Sequence, residues 1–233
     1  MDLPPLVTGT LIKRYKRFLA DVKLDSGEEI TAHVANPGSM MGLNEPGGKV
    51  WLSISDNPKR KLKYSWELLQ VEDAMVGINT MHPNKLVEEA IREDKIAELI
   101  GYKSLRREVK YGKNSRIDIL LEDGLDGRPC YVEVKNVHLS RKPPLAEFPD
   151  SVTARGAKHL VELGDMVEQG ARSVMMFLVQ RTDCDRFSLA REIDPKYAET
   201  LDLAVKRGVE ILVYGCDISP KFITVTEALK LDL

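Results

Sequence analysis

Between Leu6 and Thr80 apolar and polar residues alternate in short runs of period two. Phe18, Ala20, Val22 and Leu24 share one face of the first clear run. Ile30, Ala32 and Val34 resume the alternation after the turn Asp25-Ser26-Gly27. Val50, Leu52 and Ile54 form another run, and Leu62, Tyr64, Trp66 and Leu68 a further one. A strand sends successive side chains to opposite faces, so this period predicts half-buried strands. The stretches Asn36-Pro37-Gly38-Ser39 and Glu45-Pro46-Gly47-Gly48 read as loops between them. About five short strands at this spacing predict a small closed barrel.

The period changes near Thr80. Pro83-Asn84 opens a helical stretch that runs to Ile100 and stops at Gly101, with Leu86, Ala90, Ala97 and Ile100 at the centre of its apolar stripe. Strands are predicted near 104–111, 115–122 and 130–137. A helix follows over 152–168, with Ser151 or Thr153 as its cap and Gly170 beyond its end. Ser173–Val179 is almost wholly apolar, as a central strand buried on both faces should be. Asp194-Pro195 starts another helix, Gly208 ends it, and Val209–Tyr214 and Phe222–Thr226 read as strands. The expected architecture is therefore an OB-fold-like β-barrel over 1–80, then an α/β domain with a mixed sheet over 81–233.

Composition sets the class. The 233 residues are 43% hydrophobic and 30% charged, which suits a globular chain and excludes disorder. No apolar run approaches the roughly 20 residues of a membrane span, and the first residues lack a signal-peptide pattern, so a cytoplasmic protein is expected. Cys130, Cys184 and Cys216 have no metal-ligand spacing and read as buried thiols in a reducing compartment. The net charge is only −2, but the cations cluster. Arg14, Lys16 and Arg17 stand with Lys13; Lys59, Arg60 and Lys61 stand with Lys63; and a third group runs from Lys103 to Arg116. Any one cluster is explained by a solvated face. Three of them, interleaved with Tyr15, Phe18, Tyr64, Trp66 and Tyr111, point to a polyanion-binding surface.

The sharpest chemical constellation lies on two neighbouring predicted strands. Alternation puts Ile117, Ile119 and Leu121 on one face and Asp118 on the other. On the next strand Val132 and Val134 face a core, while Glu133 and Lys135 face away. If the strands pair, Asp118, Glu133 and Lys135 converge. Two adjacent carboxylates repel unless a cation lies between them, and Mg²⁺ or Mn²⁺ suits such an oxygen site. Lys135 could then orient a water or meet charge on a phosphate. Glu89, at the edge of the first helix's stripe, is the candidate for a further metal ligand, while Glu88 falls on the outer face. Arg155, Lys158 and His159 share one face of the helix at 152–168 and could hold phosphate near its N-terminus, and Gly156 would let a ligand approach its backbone. Gln180, at the end of the central strand, could reach the same cleft.

Several segments together carry a family likeness: Arg14-Tyr-Lys-Arg-Phe-Leu-Ala-Asp21, Asn36-Pro-Gly-Ser-Met40, Asn57-Pro-Lys-Arg-Lys-Leu-Lys-Tyr64, Ser115-Arg-Ile-Asp118, Tyr131-Val-Glu-Val-Lys-Asn136, Phe148-Pro-Asp150 and Arg155-Gly-Ala-Lys-His159. Over nearly its whole length the chain resembles the sugar fermentation stimulation protein A family. The resemblance implies an N-terminal OB-fold and a C-terminal domain like the PD-(D/E)XK nucleases. It also implies DNA binding without marked sequence preference and a suggested regulatory role in sugar (maltose) metabolism. Asp118, Glu133 and Lys135 match the nuclease motif position by position, while Arg116-Ile117 stands where its proline would be. A C-terminal helix-turn-helix has been suggested for the family, against which Phe222–Thr226 reads as strand. Two functions follow as expectations, a DNA-binding protein and, in the same cleft, a metal-dependent phosphodiesterase.

Overall fold

The computed structural model describes residues 1–232. The N-terminal part has six strands, β1 (Leu6–Tyr15), β2 (Leu19–Leu24), β3 (Glu29–His33), β4 (Lys49–Ile54), β5 (Tyr64–Val71) and β6 (Ala74–Gly77), of which the first five form the barrel and β6 pairs onto β5. β1 pairs with β2 and β4, β2 with β3, and β4 with β5. A short parallel pairing of β3 with β5 closes the ring, so five strands leave no open edge, the OB arrangement. Inward residues fill it, among them Leu11, Val22, Val50, Leu52 and Trp66. Trp66 is fully buried, and its indole nitrogen donates to the Leu68 carbonyl at 2.9 Å. The aromatic is therefore core rather than a platform for bases.

The second part begins with α1 (Pro83–Arg92) and continues through β7 (Ser104–Tyr111), β8 (Ser115–Glu122), β9 (Cys130–Val137), β10 (Leu139–Lys142), β11 (Leu145–Phe148), α2 (Ala154–Glu168), β12 (Arg172–Val179), β13 (Arg186–Leu189), α3 (Pro195–Lys206), β14 (Glu210–Ile218), β15 (Ile223–Ala228) and β16 (Lys230–Leu231). The main sheet has the order β15-β14-β12-β9-β8-β7. β9, β12 and β14 are parallel and the outer pairs antiparallel, a mixed sheet as expected. In β12, Val174, Met176 and Leu178 enter the core beneath α1, while Met175, Phe177 and Val179 enter the core beneath α2 and α3. Trp51 and Leu68 of the barrel join the α1 core, so the two parts share apolar surface. No helix among the described residues is long and apolar enough to cross a membrane.

Three sequence expectations need correction. The first helix ends at Arg92 rather than Ile100, because Asp94 takes a left-handed φ of 56° and the Lys95 amide bonds back to the Ala90 carbonyl. Such a cap normally uses Gly, and Asp is one of the few others that tolerate it. Beyond it Ile96 and Leu99 enter the core, leaving Ala97 and Ile100 exposed. A second sheet, β10-β11-β13-β16, was not foreseen, since its strands are two to four residues long and show no usable alternation. Ile117 packs with Leu120 beneath α2, away from Ile119 and Leu121 beneath α1, so the alternation slips at Asp118. The segment at Phe222–Thr226 lies largely in strand β15 and not in a helix-turn-helix.

A buried polar cluster ties the barrel to α1. Glu67 accepts hydrogen bonds from Ser53 at 2.6 Å and Asn79 at 2.7 Å, and His82 lies 2.8 Å away. Burial alone would raise its carboxyl pKa; the bonds from His82, Ser53 and Asn79 outweigh it and hold the group below the usual range. Stability from such a group is present above the unfolded pKa and lost as pH falls through the folded one. Glu67→Gln is expected to cost about 1–3 kcal/mol at neutral pH. The gap from wild type should narrow as denaturant titrations move into acid.

Candidate functional site

Strands β8 and β9 are paired only from Ile119↔Val132 to Leu121↔Cys130. At Asp118 they part, and the side chain takes over from the backbone. Its Oδ2 accepts the Val134 amide at 2.8 Å, while Oδ1 accepts the Asn84 side-chain amide of α1 at 2.7 Å. Glu133 reaches the other side of the sheet and is 2% exposed. Its Oε1 receives Lys135 Nζ at 2.6 Å and the ring Nδ1 of His159. Its Oε2 is buried with no hydrogen-bond partner. A buried carboxylate oxygen without a donor is costly, and a cation is one of the few groups that would relieve it.

The charges agree with this geometry. Burial, followed by the Glu133 charge, pushes the Asp118 carboxyl above its ordinary value. Burial also works against ionised Glu133, but Lys135 and His159 outweigh it and hold the group below its ordinary value. Tyr111 and Tyr197 each have a buried hydroxyl without a partner. Burial, and then Glu133 with its acidic neighbours, raises both phenols, so they stay neutral. Among the described residues no group of three or more His, Cys, Asp or Glu side chains is arranged to hold a metal ion. A hard divalent ion bound by one or two carboxylates, with water and phosphate completing its shell, needs no such cage.

The structure thus brings Lys135 and His159 together on Glu133, while Asp118, held by Asn84 and the Val134 amide, is near enough to feel the Glu133 charge. Glu89 is not with them: its Oε1 lies 2.8 Å from the Met1 amine, over β15. Asn84 takes the place on α1 that Glu89 was expected to fill. Its signal in the sequence was weak, an Asn directly after the proline that starts the helix. Glu88 pairs with Arg92 and with Arg107 of β7. Gly156 packs against Thr153 and Tyr197 rather than leaving room for a ligand. Gln180 does reach the region, donating to Asn136 at 2.5 Å.

The basic residues divide into two kinds. Arg14 spends its guanidinium on carbonyls of Arg17, Asn36, Gly38 and Ser39, so it organises the loop at 36–39 and is not free to track phosphates. Lys158 leans toward buried Glu162 at 3.6 Å. Arg155 is exposed, with its Nε 3.4 Å from His159 Nε2. Lys16, Arg17, Lys59, Arg60, Lys61 and Arg116 are exposed and make no salt bridge among the described residues. Arg60 donates one bond to Ser65 at 2.9 Å.

Comparison with known proteins fits this architecture. The family model described as the sugar fermentation stimulation protein RE domain matches residues 81–222, and that of the SfsA N-terminal OB domain matches residues 12–78. A sugar fermentation stimulation protein homolog of Maricaulis maris is 56% identical over 98% of this chain and 97% of its own length. One from Paramagnetospirillum magneticum is 58% identical over 98% and 96%. The solved structure of Pyrococcus furiosus SfsA in complex with Ca²⁺ superposes with a TM-score of 0.90 at 27% identity, covering 100% of this chain and 98% of that one. With both halves matched in order and relatives alike over almost the full length, the chain belongs to the sugar fermentation stimulation protein family.

Proposed function

We propose that this chain is a cytoplasmic protein that binds nucleic acid, DNA in the first instance, with little sequence preference and hydrolyses its phosphodiester bonds with a divalent cation. The observation that carries the reading is the unpartnered, buried Oε2 of Glu133 beside Asp118. The Pyrococcus furiosus relative was solved with Ca²⁺, a hard, oxygen-seeking ion of the same class as Mg²⁺ and Mn²⁺. When bound by Asp118 and Glu133, such an ion would supply Lewis acidity to a phosphate oxygen and acidify a water.

The chain's own residues do the rest. Asn84 and the Val134 amide fix the Asp118 carboxylate, so its direction is set before any ligand arrives. His159 and Lys135 both occupy Oε1 of Glu133, which leaves Oε2 as the open acceptor. Lys135, with three N–H donors, has two left to hold a water or meet charge on a phosphate oxygen. Arg17 of the barrel shares a cleft with Asn136 of β9, and it and the other exposed barrel cations would hold the nucleic-acid backbone.

Mg²⁺ or Mn²⁺ is expected to raise the melting temperature of the wild type. At a hundredfold excess over Kd a native-state ligand adds about 2.7 kcal/mol. Asp118→Asn should gain little from the metal. The raised Asp118 carboxyl stabilises the fold only while protonated, below its unfolded pKa, and that contribution is lost as pH rises through the folded value. At neutral pH in chelator the Asn variant should therefore melt at or above the wild type. Calorimetry checks both statements, and a panel of labelled DNA and RNA checks cleavage. Equal metal response in Asp118→Asn would move the site elsewhere. Metal binding without cleavage of any nucleic acid would leave a binding protein and remove the enzyme.

A further inference from the structure

Lys135 is followed on β9 by Asn136, and the carboxyl end of this strand runs into a cleft of about 390 Å³. The barrel side contributes Arg17, the loop at 36–38 and Thr80; the other side contributes Asn136, His138 and the stretch 148–153. The cleft therefore exists only where the two parts meet. Its position follows from topology, since β9, α2 and β12 form a parallel crossover and ligands bind such units at the carboxyl ends of their strands. A volume of this size lies in the range of pockets for small organic molecules, roughly 300–1,000 Å³.

Its polar groups have spare capacity. His138 is 6% exposed, and its Nε2 lacks a well-formed hydrogen bond, with Asp150 Oδ2 the near carboxylate oxygen at 3.4 Å. Asn136 bonds to His138 at 2.8 Å and accepts from Gln180 at 2.5 Å, which fixes the orientation of its amide at the cleft. Burial works against an ionised Asp150, but His138, the Met40 amide and Ser151 outweigh it and hold the carboxyl well below its usual range. The Asp150 carboxylate that lines the cleft suits the N–H edge of a neutral heterocycle, while Arg17 offers a cation for the backbone. Phe148, Pro149 and Pro37 give that ring apolar walls. At the rim Val152 is 74% exposed, as is Met81, which follows Thr80. Exposed apolar side chains beside Arg17 suit a base leaving its stack while the cation holds the backbone.

We propose that this cleft takes one unpaired nucleotide of the bound strand, base inward, beside the phosphate held near Lys135. The inference rests on the nucleic-acid reading above and narrows its substrate to strands that contain an unpaired position. Extracting a paired base costs unstacking energy that an unpaired base does not. The site thus selects bulged, frayed or single-stranded nucleic acid over fully paired duplex.

The test uses the full chain in EDTA, which separates binding from cleavage. Its probes are a 2-aminopurine DNA single strand, a duplex with that base bulged, and the fully paired duplex. The bulged duplex should bind about tenfold tighter than the paired one, with a change in 2-aminopurine fluorescence absent from the paired duplex. Val152→Trp fills the mouth from an exposed position. It should abolish the preference while leaving paired-duplex affinity and melting temperature unchanged. Equal affinity of the wild type for bulged and paired duplexes, or a preference that survives Val152→Trp, overturns the proposal and leaves the nucleic-acid reading intact. Failure to bind any of the three probes overturns both.

Discussion

DNA affinity is expected to fall ~10³-fold between about 50 and about 200 mM salt, the loss for about six neutralised phosphates. The net charge of −2 does not argue against this, because the acids and the free cations occupy different places. Glu122 is paired with Arg106, Asp202 with Arg191, and Glu210 with Arg172. Lys16, Arg17, Lys59, Arg60, Lys61 and Arg116 are left exposed outside such pairs. Changing Lys59, Arg60 and Lys61 together to Ala should weaken every DNA sequence alike and lower the salt slope by about 2–3. Arg14→Ala is the informative contrast. Its guanidinium holds the loop at 36–39, so stability should drop while the slope stays the same. Fluorescence anisotropy over a salt series measures both. Affinity for one sequence that is tight and nearly independent of salt would show direct base reading instead.

Different parts of this molecule were legible in its sequence to different degrees, for physical reasons. β7, β8 and β9 are strand-length runs bounded by turn residues, and their predicted limits coincide with the observed ones, although the alternation within β8 slips at Asp118. α2 and α3 announced themselves through Thr153 and Asp194, whose side chains accept amides of the first turn. The end of α1 was invisible because an Asp plays the part usually given to Gly. Glu133 and Lys135 were legible as neighbours because alternation along β9 puts them two residues apart on one face, and Lys135 does reach Glu133. At Asp118 the alternation of β8 slips, so its hydrogen bonds to Asn84 and the Val134 amide could not be read from the period. Glu89 was misplaced because a helical wheel gives a direction around the axis but not what lies opposite. Here Asn84 faces β8 and Glu89 faces the chain's first residue. The cleft between the two parts was beyond reach, since contacts such as Met40 amide to Asp150 span 110 residues.

Lys135→Ala is expected to lower the cleavage rate at saturating metal by about 10²–10³-fold, the usual loss when one positioned donor is removed from a transition state. The substitution should lower stability in chelator while sparing the increment that metal adds. Lys135 Nζ lies 2.6 Å from Oε1 of a Glu133 side chain that is only 3% exposed. Removing it leaves a buried carboxylate with His159 as its remaining partner, so the melting temperature in chelator should fall. The metal-induced rise should persist or grow, because Glu133 then has less competing charge. Loss of cleavage together with a preserved metal shift identifies Lys135 as a group acting on the water or the phosphate. Loss of both would reduce it to a support for Glu133. Cleavage at the wild-type rate would remove it from the chemistry altogether. Calorimetry with and without Mn²⁺, beside a single-turnover cleavage assay, separates the three outcomes.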